Sequence, residues 1–151
     1  MSSHSDPCLP SGYTLHSGYP SVPEYLHLRS AAGLSVKTPS QADPVATGSW
    51  YGCYITSDAI NGDPRPIGMG RVIADGGWYY HIADIAVHPE HQRKGLGDVI
   101  LKALLQRISQ GAPSDGKPYI SLFADEAGRK LYYKNGFKDA APGGLGMVFK
   151  S

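Results

Sequence analysis

A mixed α/β fold is predicted by three features of this 151-residue sequence. Apolar segments of strand length recur between turn signals at residues 50–55, 67–74 and 78–87. A helical period then takes over at Leu96, Val99, Ile100, Ala103, Leu104 and Ile108. After it comes a largely apolar run, 119–124, which suits a buried strand parallel to the one ending at Val87. Strand, helix and parallel strand make a right-handed crossover. The expected architecture is a mixed, mostly antiparallel central sheet with a parallel, splayed pair at its centre, flanked by helices.

Taken in order, residues 1–10 (MSSHSDPCLP) are polar and interrupted by proline, the pattern of a flexible tail ahead of one domain at 11–151. Residues 13–16 make a short first strand. Ser21 with Glu24 three positions on is a capping-box pattern. The helix it opens runs through Tyr25, Leu28, Arg29 and Ala32 to Gly33, which suits a C′ position. A second short helix falls in or near 40–47, its ends left open by Pro39 and Pro44. Strand 50–55 leads into a turn at 57–66 that holds Asn61-Gly62-Asp63-Pro64. Strand 67–74 reverses at Asp75-Gly76-Gly77 as a hairpin. In the next strand, 78–87, simple alternation assigns His81, Ala83, Ile85 and Val87 to one face, and Ile82, Asp84 and Ala86 to the other. Helix 96–109 ends near Gly111, helix 126–135 is stopped by Gly136, and residue 137 and residues 147–150 read as closing strands.

Composition bounds the function. Hydrophobic residues make up 41% and charged residues 18%, ordinary for a globular chain with one core. A formal charge of +1 lacks the basic excess that nucleic-acid binding needs. No run reaches the ~18 apolar residues of a membrane span, and the N-terminus lacks a basic-then-apolar signal sequence. Two cysteines, Cys8 and Cys53, form no disulfide framework, so a reduced, cytoplasmic chain is expected. His88-x-x-His91 lacks a third ligand at fitting spacing, so no metal is expected.

The chemistry concentrates between residues 80 and 105. The strand 81–87 is followed by a turn at Pro89 and then by Gln92-Arg93-Lys94-Gly95-Leu96-Gly97 at a helix start. Amides converging at a helix N-terminus form an anion site, helped by the macrodipole. Gly95 and Gly97 let the backbone approach a ligand, and Arg93 and Lys94 add positive charge. This reads as a pyrophosphate cradle. A dinucleotide fingerprint would need a third glycine where Ile100 stands, and a triphosphate loop would need Gly-Lys-Ser/Thr.

The Q/R-x-x-G-x-G/A pattern at 92–97 and the L-Y-x-x-x-G-F pattern at Leu131–Phe137 stand in the right order and at a fitting distance. Together they resemble the GNAT superfamily of acetyl-CoA-dependent N-acetyltransferases, over about residues 45–149. The string His-Ile-x-Asp-Ile-Ala-Val at 81–87 is also similar to aminosugar N-acetyltransferases. The resemblance implies a single GNAT-fold α/β domain with acetyl-CoA as co-substrate. Backbone groups of Ile85, Ala86 and Val87 would bind the pantetheine arm. Gln92, Arg93, Lys94, Gly95, Leu96, Gly97 and Asp98 would hold the pyrophosphate, with Gly128 and Lys134 completing the coenzyme contacts. The first two helices and their link would wall the acceptor site.

For proton transfer the resemblance names several groups. Position 81 matches a place where relatives keep a Glu or His base, so His81 is a candidate; its alternative is a sheet residue satisfied by a neighbour. Asp84 is a competing base, or holds the adjoining loop. Asp125 stands where many relatives have Asn, and an acid there resembles the aminosugar enzymes. Tyr132 would protonate the departing thiolate, or else packs on its helix. The expected reaction is direct acetyl transfer to a primary amine of a small molecule: aminosugar, arylalkylamine or polyamine. The alternatives are a protein or peptide acetyltransferase and a silent acyl-CoA-binding module. The aromatics Trp50, Tyr51, Trp78, Tyr79 and Tyr80 line an acceptor pocket or alternate between core and surface. A homodimer is common among relatives.

Overall fold

Turn chemistry and strand length build a five-stranded mixed sheet. The computed structural model describes residues 8–58 and 65–150. They fall into two compact units, the first ending at Ser121 and the second beginning at Leu122. The first unit holds β1 (Tyr13–Ser17), β2 (Tyr51–Ser57), β3 (Pro66–Ala74), β4 (Tyr79–Val87) and β5 (Tyr119–Ser121), in that spatial order. Neighbours are antiparallel except β4 and β5, which are parallel. Most of the turn expected at 57–66 lies outside the described residues.

The β3–β4 hairpin turns as its sequence requires. The Asp75 carboxylate accepts the N–H groups of Gly77, Trp78 and Tyr79 at 2.8, 3.2 and 3.3 Å, and Gly76 takes a left-handed φ of 80°. Those bonds favour the ionised form, so the Asp75 pKa is lowered, the Gly77 bond contributing most.

Helices cover both faces of the sheet. On one side lies α1 (Val22–Ala31), capped by Ser21, whose hydroxyl both accepts from the Glu24 N–H and donates to the Glu24 carboxylate. It ends in a Schellman motif: Leu34 N–H reaches the Arg29 carbonyl, Gly33 N–H that of Ser30, and Gly33 has φ 85°. The short helix expected at 40–47 is two single turns, α2 (Pro39–Ala42) and α3 (Val45–Gly48). Pro44 separates them, because it has no N–H to continue the ladder. Tyr25, Leu28, Ala42 and Val45 pack on Met69 and Ala86 from this side. On the other side lies α4 (Leu96–Gly111), burying Leu96, Val99, Ile100, Leu101, Leu104 and Ile108.

The register of β3 against β4 overturns simple alternation. Met69 faces Ala86, but Arg71 faces Ala83, so Gly70 opposes both Asp84 and Ile85. This is a β-bulge, and its extra residue, Asp84, has φ 58°. Directly opposed residues share a face. Ala83 and Ala86 therefore lie on the α1 side with Arg71 and Met69, whereas Ile85 and Val87 approach Gly70 and Gly68 on the α4 side. His81, opposite Ile73, is on the α1 side too. Asp84, expected with Ile82, joins His81 instead.

Two other expectations change. The strand expected at 119–124 stops at Ser121, so the parallel pair stands at one edge of the sheet instead of its centre. Pairing of β4 with β5 covers only Tyr79–His81, and β4 continues for six residues beyond it.

In the second unit, a 3₁₀ turn (Glu126–Gly128) runs into α5 (Arg129–Lys134), stopped at Gly136 with φ 90°. The closing strands expected at residue 137 and at 147–150 do not form. Pro142 offers no N–H, Gly143, Gly144 and Gly146 cost the most backbone entropy to order, and Met147, Val148 and Phe149 are exposed. Nothing buried offsets ordering that segment.

Close approach of α4 to β3 depends on the absence of a side chain at Gly70. A Cβ there would lie 2.6 Å from Ile100 Cγ2 and 3.1 Å from Leu104 Cδ1. Gly70→Ala should destabilise the chain by about 1–3 kcal/mol through overpacking, read as a lower denaturation midpoint. An unchanged midpoint would mean α4 shifts without cost.

Candidate active site

Asp84 organises the α1 side of the site. Its carboxylate accepts the Tyr25 hydroxyl at 2.5 Å and Arg71 Nε at 2.6 Å, and it forms an ion pair with Arg29 Nη1. The Asp84 and Arg29 side chains are each only 9% exposed. Arg29 is braced from behind by the Ser35 carbonyl and hydroxyl, and Arg71 by Ser49 Oγ at 2.9 Å. Burial, and then the bond to Asp84, raise the Tyr25 pKa, so its phenol stays protonated as a donor. With both oxygens engaged by three donors, Asp84 is placed to hold the bulge and the helix α1.

This cluster escaped sequence reading, though signals were present. Arg29 follows Leu28 on the buried stripe of α1, and Arg71 interrupts the apolar string of β3. A charge on a face that must be buried implies a buried counter-charge.

His81 lies on the same side of the sheet. Its Nδ1 is 3.0 Å from Ser121 Oγ. Burial first, and then the positive charge of Arg71, lower its pKa below the usual 6.5. The imidazole is therefore neutral at neutral pH and able to accept a proton.

The end of β4 is arranged by ladder alternation. His88 N–H bonds the Ile67 carbonyl at 2.7 Å, so the next outward-pointing pair is Val87 and Gly68. By the same alternation Ile85 and Val87 direct their backbone groups away from β3, and those of Ala86 point toward Met69. Of the three residues expected to meet a pantetheine arm, Ile85 and Val87 thus have the fitting orientation and Ala86 does not. Gln92 donates its side-chain amide to the Val87 carbonyl at 2.9 Å, which ties the turn to the strand end.

The cradle follows. Arg93 and Gly95 both take left-handed φ values, 63° and 80°, the backbone pattern of an anion-binding nest. Gly95 is the N-cap of α4 and supplies no side-chain cap. The first amides, of Leu96, Gly97 and Asp98, have no carbonyl to meet within the helix. A Cβ on Gly95 would meet nothing within 4 Å, and Arg93, Lys94 and Gly95 are exposed. The Asp98 carboxylate is drawn to Lys102 at 2.6 Å, which offsets its negative charge beside the cradle. Lys94 lies 5.9 Å from the Tyr13 ring centroid.

Tyr132, Asp125, Gly128 and Lys134 belong to the second unit. The Tyr132 ring leans over Gly128, where a Cβ would be 2.9 Å from Cε2, and meets Phe137 edge-on. Burial, and then the charge of Asp125, raise the Tyr132 pKa, so the phenol keeps its proton.

The aromatic strings divide between core and surface. Tyr80 is buried beneath Trp50, and Arg107 stacks over Trp50 and Tyr51. Trp78, Tyr79 and Tyr119 form an exposed cluster. A cavity of about 250 Å³ on the α1 side is lined instead by Tyr25, Arg29, Lys37, Gln41, Val45, Arg71 and Asp84. No cluster of three potential metal ligands occurs among the described residues.

Residues 50–139 match the family model of the acetyltransferase (GNAT) domain. The chain belongs to the GNAT acetyltransferase family. It is 35% identical over 83 residues to a protein of Pyropia yezoensis named uncharacterized N-acetyltransferase ycf52, covering 55% of this chain and 45% of that one. It is also 35% identical over 87 residues to GCN5-related N-acetyltransferase 2, chloroplastic, of Arabidopsis thaliana, covering 58% and 32%. The matches thus span less than half the length of these curated relatives. A Staphylococcus aureus structure, a protein of unknown function, superposes with a TM-score of 0.81 at 33% identity, over 92% of this chain and 99% of that one.

Asp84→Ala would leave Arg29 and Arg71 without their counter-charge in a buried setting. A loss of about 3–5 kcal/mol is expected, measured by urea denaturation. A loss below about 1 kcal/mol, the range of exposed pairs, would show that the cluster is not a structural centre.

Proposed function

We propose that this chain transfers acetyl from acetyl-CoA directly to the primary amine of a small molecule. The carrying observation is the uncapped start of α4, entered through left-handed Gly95 directly after a strand end whose backbone groups at Ile85 and Val87 point outward. Those residues fit a diphosphate on a flexible arm: amides for the charge, and a strand edge for the arm's amide groups. Acetyl-CoA supplies an activated thioester.

His81 accepts the proton of the attacking amine, directly or through water. The tautomer with Nδ1–H on Ser121 puts its basic lone pair on Nε2. The outward N–H of Val87 donates to the carbonyl oxygen as negative charge develops there. Tyr132 is assigned the proton that goes to the sulfur, a role its protonated phenol suits. Asp125 remains a second candidate to attract the acceptor ammonium. Direct transfer is favoured over a cysteinyl intermediate at Cys53, because burial pushes that thiol up to about 12 and it is 1% exposed. A cavity of about 250 Å³ favours a small acceptor over a peptide. No helix among the described residues is long and apolar enough to cross a membrane, and a cytoplasmic setting is part of this reading.

Release of free thiol from acetyl-CoA in the presence of a panel of amines tests the proposal; a panel without any acceptor would sink it. Gly95→Asp adds a negative charge and a strained left-handed side chain, and should abolish acetyl-CoA binding by calorimetry; normal affinity would displace the cradle. Tyr132→Phe should lower kcat by roughly 10–100-fold with little change in acetyl-CoA affinity, and unchanged turnover would remove Tyr132 from the chemistry. The base must be neutral to act, and the His81 pKa is lowered, so the acid limb of kcat/KM should lie below pH 6.5. His81→Gln should erase that limb; a limb that persists belongs to another group.

A further inference from the structure

The cavity on the α1 side carries more cationic than anionic charge. Arg29, Lys37 and Arg71 line it against the single carboxylate of Asp84, leaving a net +2. Arg29 is consumed by Asp84 and Ser35. Arg71 is not. A guanidinium has five N–H donors, and among the described residues Arg71 bonds Asp84 through Nε and Ser49 through Nη1. Lys37 forms no ion pair among the described residues and sits exposed at the rim. The cavity thus presents unspent N–H donors of one part-buried arginine and one unpaired ammonium, in about 250 Å³.

Resting on the acetyl-transfer reading, we infer that the acceptor is an amine carrying an anionic group, carboxylate or phosphate, which Arg71 and Lys37 bind in this cavity. The same charges disfavour a polycation. A second positive group placed here would be repelled, and an ammonium brought beside Arg71 would lose its proton more readily. That second effect serves the reaction, since only the neutral amine attacks. Arg71 also lowers the His81 pKa, so its charge reaches both the cavity and the proposed base. One residue therefore couples recognition of the anion to readiness of the amine. The size of the cavity suits a carboxylate with part of a small side chain, or a phosphate, but not a chain of several residues.

The test uses matched pairs differing only in the anionic group: tyrosine and tyramine, lysine and cadaverine, glucosamine 6-phosphate and glucosamine. Thiol release from acetyl-CoA should show KM lower by roughly 10-fold for the anionic member, in the first two pairs if the acceptor is a carboxylate and in the third if it is a phosphate. Lys37→Glu, at an exposed position, should shrink that ratio several-fold and leave the denaturation midpoint unchanged. Neutral members that turn over as well as anionic ones, or a ratio that Lys37→Glu does not move, overturn the inference and leave acetyl transfer standing. If no amine turns over, the acetyl-transfer reading fails. Calorimetry with coenzyme A present then decides separately: preferential binding of the anionic members retains the anion site, and equal or absent binding removes it.

Discussion

The ion cluster around Asp84 is the constraint on which the rest of the site depends. A left-handed non-glycine residue costs of order 1–3 kcal/mol and persists only where its surroundings over-determine it. Here the surroundings are two guanidinium groups and a phenol converging on one buried carboxylate. Because Asp84 is pulled toward α1, β4 takes an extra residue opposite Gly70. The bulge then reverses the facing of everything beyond it, and pairing with β3 resumes with the backbone groups of Ile85 and Val87 directed away from that strand. Removing the carboxylate therefore removes both the tie to α1 and the reason for the bulge.

Much of the fold was legible in the residues because its signals are local. Asp75-Gly76-Gly77 demands a hairpin, Ser21 and Gly33 bracket a helix, and the 3.6-residue apolar period of α4 has one interpretation. The glycine turn and helix start after β4 were legible for the same reason: Gly95 and the apolar period from Leu96 are local signals. The bulge was not. Strand alternation assumes one residue opposite one, and only the tertiary pull on Asp84 breaks it. The closing strands were misread because Met147, Val148 and Phe149 have strand composition, whereas a strand needs a partner and a buried face.

The candidate site was legible in part, along a similar division. His81 and Tyr132 rest on motif position, and burial leaves the imidazole neutral and the phenol protonated at neutral pH. Ala86 was assigned with Ile85 and Val87, but ladder alternation turns its backbone inward. The cationic cavity was out of reach, since Arg29, Lys37 and Arg71 come from three separate segments and meet only in the folded chain. Aromatic strings drew attention to Trp50 and Trp78, yet neither lines that cavity; strand preference explains them.

The central claim is a division of labour at the end of β4: backbone groups beyond the bulge and the start of α4 hold the acetyl donor, and the α1 side holds the acceptor. Amide chemical-shift mapping of the ¹⁵N-labelled chain on addition of coenzyme A tests this most directly. The account predicts the largest changes at Ile85, Val87 and Gly95 to Asp98, with Ala86 and the residues around Lys37 and Gln41 moving little. Shifts confined to other surfaces, with the amides of Gly95 to Asp98 unmoved, would contradict it.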